Sequence, residues 1–228
     1  LGIRVEALTA HSNIDLLEKY HYIGFRHLLT KGNIMDFDLL FEEFPKRIIP
    51  YDYDAYAKNS GRYEMVTTNC TTGCAEYFEE KSDPERIIDI VRASSSLPFV
   101  TPISYVDGRP MLDGGIADSI PVVRATEQGF DNCLVVLTRN AGYRKSAKPS
   151  FVPWFAYRRY PMLQEAIRHR NAEYNKQMEL VERLESEGRI TVIRPERPIE
   201  VGRMERDTHR LLALYNEGYD LASKVEIG

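Results

Sequence analysis

The stretch RASSSLPFVTPISYVDGRPMLDGG, Arg92–Gly115, decides how the rest of the chain is read. It closes a helical pattern at Pro98, turns at Asp107-Gly108, and brings a hydrophobic approach, Met111-Leu112, to an acid followed by two glycines. Asp-Gly is a strong two-residue hairpin signal because both positions tolerate positive φ, so ISYVDGRPML predicts a short hairpin that ends at Asp113. Gly114 and Gly115 set that carboxylate on backbone that another segment can approach closely. On local chemistry alone, Asp-Gly-Gly reads first as an ordinary turn.

Upstream, SDPERIIDIVRASSS opens with Ser82 or Asp83 as a cap and Pro84 in the first turn. Its Ile87, Ile88, Ile90 and Val91 fit one helix face. RYEMVTT (Arg62–Thr68) and CAEYFEE (Cys74–Glu80) alternate as half-buried strands around the turn NCTTG, which predicts a hairpin. Before them, NIDLLEKYHYIGFRHLL and MDFDLLFEEF carry apolar residues at helical spacing and read as a covering layer.

Downstream, SIPVVRATEQG predicts a short helix closed by Gly129, and NCLVVLT (Asn132–Thr138) a strand buried on both faces. An irregular basic and aromatic connector follows. PMLQEAIRHRNAEYNKQMELVERLESEG then predicts a long helix ending at Gly188, RITVIRP a last strand, and RDTHRLLALYNEGYDLASKV a last helix.

With 228 residues, 43% of them hydrophobic, the chain can bury a real core. Its 30 basic and 34 acidic residues leave a net charge of -4, so no overall field draws it to nucleic acid. No run approaches the roughly 18 apolar residues of a membrane span, and LGIRVEALTAHSNID lacks the order of a signal peptide. Three cysteines without a partner set read as ordinary reduced thiols, and a cytoplasmic protein is the expectation.

Other chemistry-bearing groups carry weaker signals. Asp36/Asp38 and Asp52/Asp54 have the oxygen ligands of a Mg²⁺ or Ca²⁺ site but no glycine-bearing loop or third acid, so they read as helix-start and turn acids and no metal is assigned. His11, His21, His27, His169 and His209 are scattered without ligand spacing. WFAYRRY (Trp154–Tyr160) joins aromatic rings to two arginines, a mixture favoured at membrane surfaces and around anionic head groups. It reads equally as a connector whose aromatics pack on the sheet.

RASSSLPFVTPI followed by YVDGRPMLDGG, and then by a helix and a buried strand, resembles the second half of the patatin-like phospholipase family. The resemblance runs from about Lys19 and takes in VTTNCTTG and VVLTRNAGYRK, which look like the bacterial branch with an extra C-terminal region. It implies an α/β fold: a three-layer core with a mostly parallel sheet, incomplete at its N-terminus, over residues 1–149, and a mainly helical extension with one strand over 150–228. The implied activity is hydrolysis of lipid acyl esters by a Ser/Asp dyad without a cofactor. Carried onto the matching position, it makes Asp113 the general base that accepts the proton of a serine hydroxyl. It also raises peripheral membrane contact through Trp154–Tyr160.

The departure is as informative. The family's glycine-rich G-G-G-x-[RK]-G oxyanion motif and G-x-S-x-G nucleophile elbow occur nowhere in these 228 residues. Ser94, Ser95 and Ser96 lie at a helix end without flanking glycines and are expected to satisfy terminal carbonyls or pack the turn. The expectation is a patatin-like chain lacking its nucleophile strand, through truncation, a shifted start codon or a fragmentary gene, inactive alone and prone to self-association through exposed sheet. The rival of another class is a catalytically dead lipid- or protein-binding regulatory module.

Overall fold

The computed structural model describes residues 19–20, 36–130, 132–202 and 205–225. The chain divides into two compact units: one contains residues 36–120 with Ser146–Tyr174, the other Pro121–Lys145 with residues 175–225. Of the predicted helix over NIDLLEKYHYIGFRHLL, Lys19 and Tyr20 are described and are helical; its other residues, with His11, His21 and His27, lie outside the described residues.

In the first unit, a wide π-type helix over Leu39–Ile48 and the short α1 (Tyr53–Lys58) precede the sheet. β1 (Glu64–Asn69) and β2 (Ala75–Glu79) pair antiparallel, Met65 opposite Phe78. Asn69 builds their turn: its side-chain oxygen accepts from the N–H groups of Thr71 and Thr72, and its carbonyl accepts from Gly73, which lies at φ 71°. α2 (Pro84–Ser94) follows, with the Asp83 carboxylate accepting from the N–H groups of Glu85 and Arg86.

β3 (Ser104–Val106) and β4 (Arg109–Asp113) are joined by Asp107 and Gly108 at φ 51° and 73°, the pair of left-handed residues that closes a two-residue hairpin. β4 then docks antiparallel on β1, placing Asp113 opposite Thr67 and giving the order β2-β1-β4-β3.

The two-residue period of these strands sorts side chains onto two faces. Met65, Phe78, Val106 and Met111 pack with Ile90 and Ala93 of α2. Leu112, one residue beyond Met111, joins Cys70, Ile116, Val152, Leu163 and Ile167 in a separate core. Asp113 therefore follows directly on a strand whose last two apolar residues anchor both faces of the sheet.

The second unit holds α3 (Val122–Glu127), β5 (Cys133–Val136), β6 (Ile190–Ile193) and α5 (Thr208–Ser223); the long α4 (Pro161–Ser186) begins in the first unit and ends in the second. Gly129 and Gly188, at φ 81° and 68°, stand just beyond α3 and α4, where the sequence predicts helix stops. Along α4, Leu163, Ile167, Tyr174, Met178, Val181 and Leu184 form a buried stripe at helical spacing.

The fold is mixed α/β, as expected, but two particulars are corrected. Among the described residues parallel pairing is met only between β5 and β6, and the four-stranded sheet is antiparallel throughout, so a mostly parallel sheet is not what these residues form. Tight turns at Asn69–Gly73 and Asp107–Gly108 leave each hairpin no other pairing, because parallel neighbours need a long crossover. Nor is β5 buried on both faces: Leu134 and Val136 are 40% and 68% exposed, and β6 is its one paired strand among the described residues.

Candidate active site

Asp113 is half-buried at the point where β4 gives way to a tight turn over Gly114–Ile116. Its main chain is held from two sides. The Asp113 N–H donates to the carbonyl of Ser96 at 2.8 Å, and the Asp113 carbonyl accepts from the hydroxyl of Thr68 on β1, also at 2.8 Å. Its carboxylate is oriented locally, Oδ1 accepting the N–H of Gly115 at 2.6 Å.

The turn that follows is tied at almost every step. Thr68 Oγ1 also accepts from the Ala117 N–H, the Asp118 N–H donates to Gly114, and the Ser119 hydroxyl donates to the Gly115 carbonyl. The Tyr77 hydroxyl, from β2, donates to Asp118 Oδ2 at 2.6 Å. Each bond removes a way for the segment to drift, so the acid is presented on a preorganised support.

Each glycine has a separate reason to be there. A Cβ on Gly114 would stand 2.4 Å from the Val66 carbonyl oxygen and 2.6 Å from its carbon, so only glycine lets the turn sit against β1. A Cβ on Gly115 would stand 2.9 Å from Asp113 Oδ1, in the space the carboxylate needs to reach the Gly115 N–H. Neither glycine is used for a left-handed φ; both serve close approach.

The serines follow the reading of a helix end. Ser96 is buried, its hydroxyl donating to the Arg92 carbonyl at 2.8 Å and sharing a 2.8 Å hydrogen bond with Ser104. Cys70 is buried and its thiol is pushed up to about 12 by desolvation, so it stays protonated at neutral pH. Asp52 caps α1 through the Ala55 N–H, and Asp36 accepts from the Leu39 N–H, so both serve helix starts. His169 lies 3.4 Å from Glu165 on the exposed side of α4, and the His209 N–H donates to Asp207 at the start of α5.

At the opposite end of the β3–β4 hairpin the charges form a rim. Arg86 pairs with Asp107 through both oxygens, at 3.0 Å each, and with Glu80 at 2.7 Å; Arg109 pairs with Glu76. Both guanidinium groups stand over the Phe78 ring, at 5.8 and 5.4 Å. N–H and hydroxyl donors from Ser82, together with Arg86, hold the Glu80 carboxyl down at about 2.

Sequence reasoning singled out Asp113 but missed Thr68 and the Ser96 carbonyl as its supports. Thr68 carried a faint signal, a polar residue inside the β pattern RYEMVTT, where a buried hydroxyl must find partners. The Ser96 carbonyl carried none, because a main-chain acceptor is invisible in a side-chain pattern.

WFAYRRY is divided by the structure. Tyr157 and Tyr160 pack against the Leu112 core, whereas Trp154 and Phe155 point outward, 77% and 64% exposed.

Fold and site define an α/β protein that presents an acid at a strand-to-turn junction locked against the neighbouring strand. The chain belongs to the patatin-like phospholipase family, whose profile, "Patatin-like phospholipase", matches residues 8–126. A second profile, "Domain of unknown function (DUF6363)", matches residues 160–225. "Uncharacterized protein YjjU" of Escherichia coli (strain K12) is 27% identical over 174 residues, which cover 74% of this chain and 48% of that protein. The chain thus spans about half the length of this relative. Among the described residues no helix is long and apolar enough to cross a membrane.

Proposed function

We propose that this chain carries the acid half of a Ser/Asp dyad that hydrolyses lipid acyl esters, with Asp113 as the general base. The observation that carries the reading is the fixed setting of Asp113: main chain clasped by Thr68 and Ser96, carboxylate aimed by the Gly115 N–H, Gly115 clearing the space beside it and Gly114 seating the turn on β1. In the reaction, the carboxylate takes the proton of a serine hydroxyl as its oxygen attacks the acyl carbonyl. The proton passes to the departing alcohol as the carbon–oxygen bond breaks, and water then releases the fatty acid from the acyl-serine with the same group as base.

The serine and the oxyanion donors lie outside these 228 residues in this reading. A three-layer core is completed by the strands that bring them, with residues 1–149 as the core and 150–228 as the extension. The family matches at 8–126 and 160–225 support that division. The exposed β5 face supports association of the chain with itself or with the completing segment.

An activated short-chain ester tests the reading in two settings. The chain alone gives no turnover above its Asp113→Asn variant; turnover that vanishes in the variant would show a nucleophile within the chain. Joined to an in-frame upstream segment carrying the glycine-rich and G-x-S-x-G motifs, it becomes an esterase that Asp113→Asn slows by about 10²–10⁴-fold. An esterase indifferent to that substitution would remove Asp113 from the mechanism.

A further inference from the structure

We propose that the outer face of the Phe151–Arg159 loop docks the protein on an anionic phospholipid bilayer. This goes beyond the proposed hydrolysis and does not depend on it.

The loop is built to present its rings. Val152 is buried with Leu112 and Leu163, and Tyr157 and Tyr160 pack against that core, so three side chains pin the segment inward. Beside these anchors, Phe151 just before Val152 and Trp154 and Phe155 between Val152 and Tyr157 are 84%, 77% and 64% exposed. The loop is fixed in this shape by its main chain: Ser150 N–H donates to the Arg168 carbonyl, Ala156 N–H to Pro153, and Tyr160 N–H to Tyr157. Gln164 Nε2 donates to the Ala156 carbonyl at 2.6 Å, and the Tyr157 hydroxyl accepts the Phe99 N–H at 2.8 Å. Phe99, itself half exposed, lies with its ring 5.3 Å from that of Tyr157.

Among the described residues nothing covers these three large rings, although inward anchors stand beside them; a partner with an apolar interior and a wet surface would cover them. The charges select which partner. From Ser146 to Tyr160 there are three basic residues, Lys148, Arg158 and Arg159, and no carboxylate, although the whole chain carries a net charge of -4. Arg158 and Arg159 are exposed, and Arg158 stands over the Trp154 ring at 5.5 Å. Indole at the head-group level, beside guanidinium groups that meet lipid phosphates, is the chemistry of an anionic interface. A protein groove would accept the rings, but an indole held against a guanidinium, with a second arginine beside it, is the arrangement that favours lipid phosphates at the head-group level.

Trp154 is the chain's single tryptophan, so its fluorescence reports on the loop alone. Vesicles of phosphatidylcholine mixed with phosphatidylglycerol are expected to shift its emission to the blue and sediment the protein, whereas phosphatidylcholine alone does so weakly. Phe155→Ala with Phe151→Ala should lower the partition coefficient at least tenfold. Arg158→Ala with Arg159→Ala should lower it about fivefold per arginine and flatten its salt dependence. Circular dichroism confirms that these surface variants fold. Asp113→Asn should bind like the parent, so bilayer docking and the dyad fail or stand separately. The proposal is overturned if no vesicle moves the emission, if neutral and anionic vesicles bind alike, or if both double variants bind like the parent. An assembly that loses subunits in the ring variant while vesicles leave Trp154 unchanged would assign the loop to protein contact and overturn it equally.

Discussion

Replacing Gly114 by alanine tests whether the Asp113 turn is held by close approach. The new Cβ would stand 2.4, 2.6 and 2.8 Å from the carbonyl oxygen, carbonyl carbon and Cβ of Val66, where ordinary contacts begin near 3.4 Å. The atoms in the way belong mainly to the main chain of β1, which is hydrogen-bonded on both sides, so no rotamer change relieves the clash. The turn must withdraw by roughly 1 Å, stretching the bonds of Thr68 to Asp113 and to Ala117. Overpacking of this kind costs about 3 kcal/mol, the upper end of its usual range. Denaturant unfolding followed by far-ultraviolet circular dichroism measures it. Two controls bracket the result. Gly108→Ala meets no atom within 4 Å but keeps φ 73°, costing about 1 kcal/mol in backbone strain alone. Gly218→Ala, in open space within α5, should stabilise by up to about 1 kcal/mol. A Gly114→Ala protein within about 0.5 kcal/mol of the parent would refute the packing argument.

Thr68→Val keeps the shape but strips a fully buried hydroxyl that donates to Asp113 and accepts from Ala117; a loss of about 1–3 kcal/mol is expected in the same unfolding assay, with Thr68→Ser milder. The folded Glu80 carboxyl lies at about 2, below its ordinary 4.5, so its stabilising effect is full above pH 4.5 and fades as pH falls toward 2. Unfolding midpoints across that window should fall less steeply in Glu80→Gln than in the parent. Lysine at Leu134 and Val136, on the exposed β5 face, should shift sedimentation toward smaller species; an unchanged distribution would place self-association elsewhere.

Much of the fold was legible because it is local. The cap at Asp83, the Asp107-Gly108 turn and the stops at Gly129 and Gly188 are decided within a few residues by backbone sterics and hydrogen bonding. The tight turns imply the β1–β2 and β3–β4 hairpins, whereas the antiparallel docking of β4 on β1 joins segments more than 40 residues apart and is written in no turn. The exposure of β5 was not legible: an apolar run of four residues has the same pattern whether one face or both are covered.

The sequence by itself determined that an acid would close a hairpin ahead of two glycines, because turn chemistry is short-range. Only the tertiary structure decided what those glycines are for. Val66 lies 48 positions from Gly114, and Thr68 lies 45 from Asp113; no periodicity records that the two segments share one sheet. The same holds for Trp154 and Phe155, which stand outward while Val152, Tyr157 and Tyr160 pack with Leu112, a division set by a core about 40 residues away in sequence that composition does not settle.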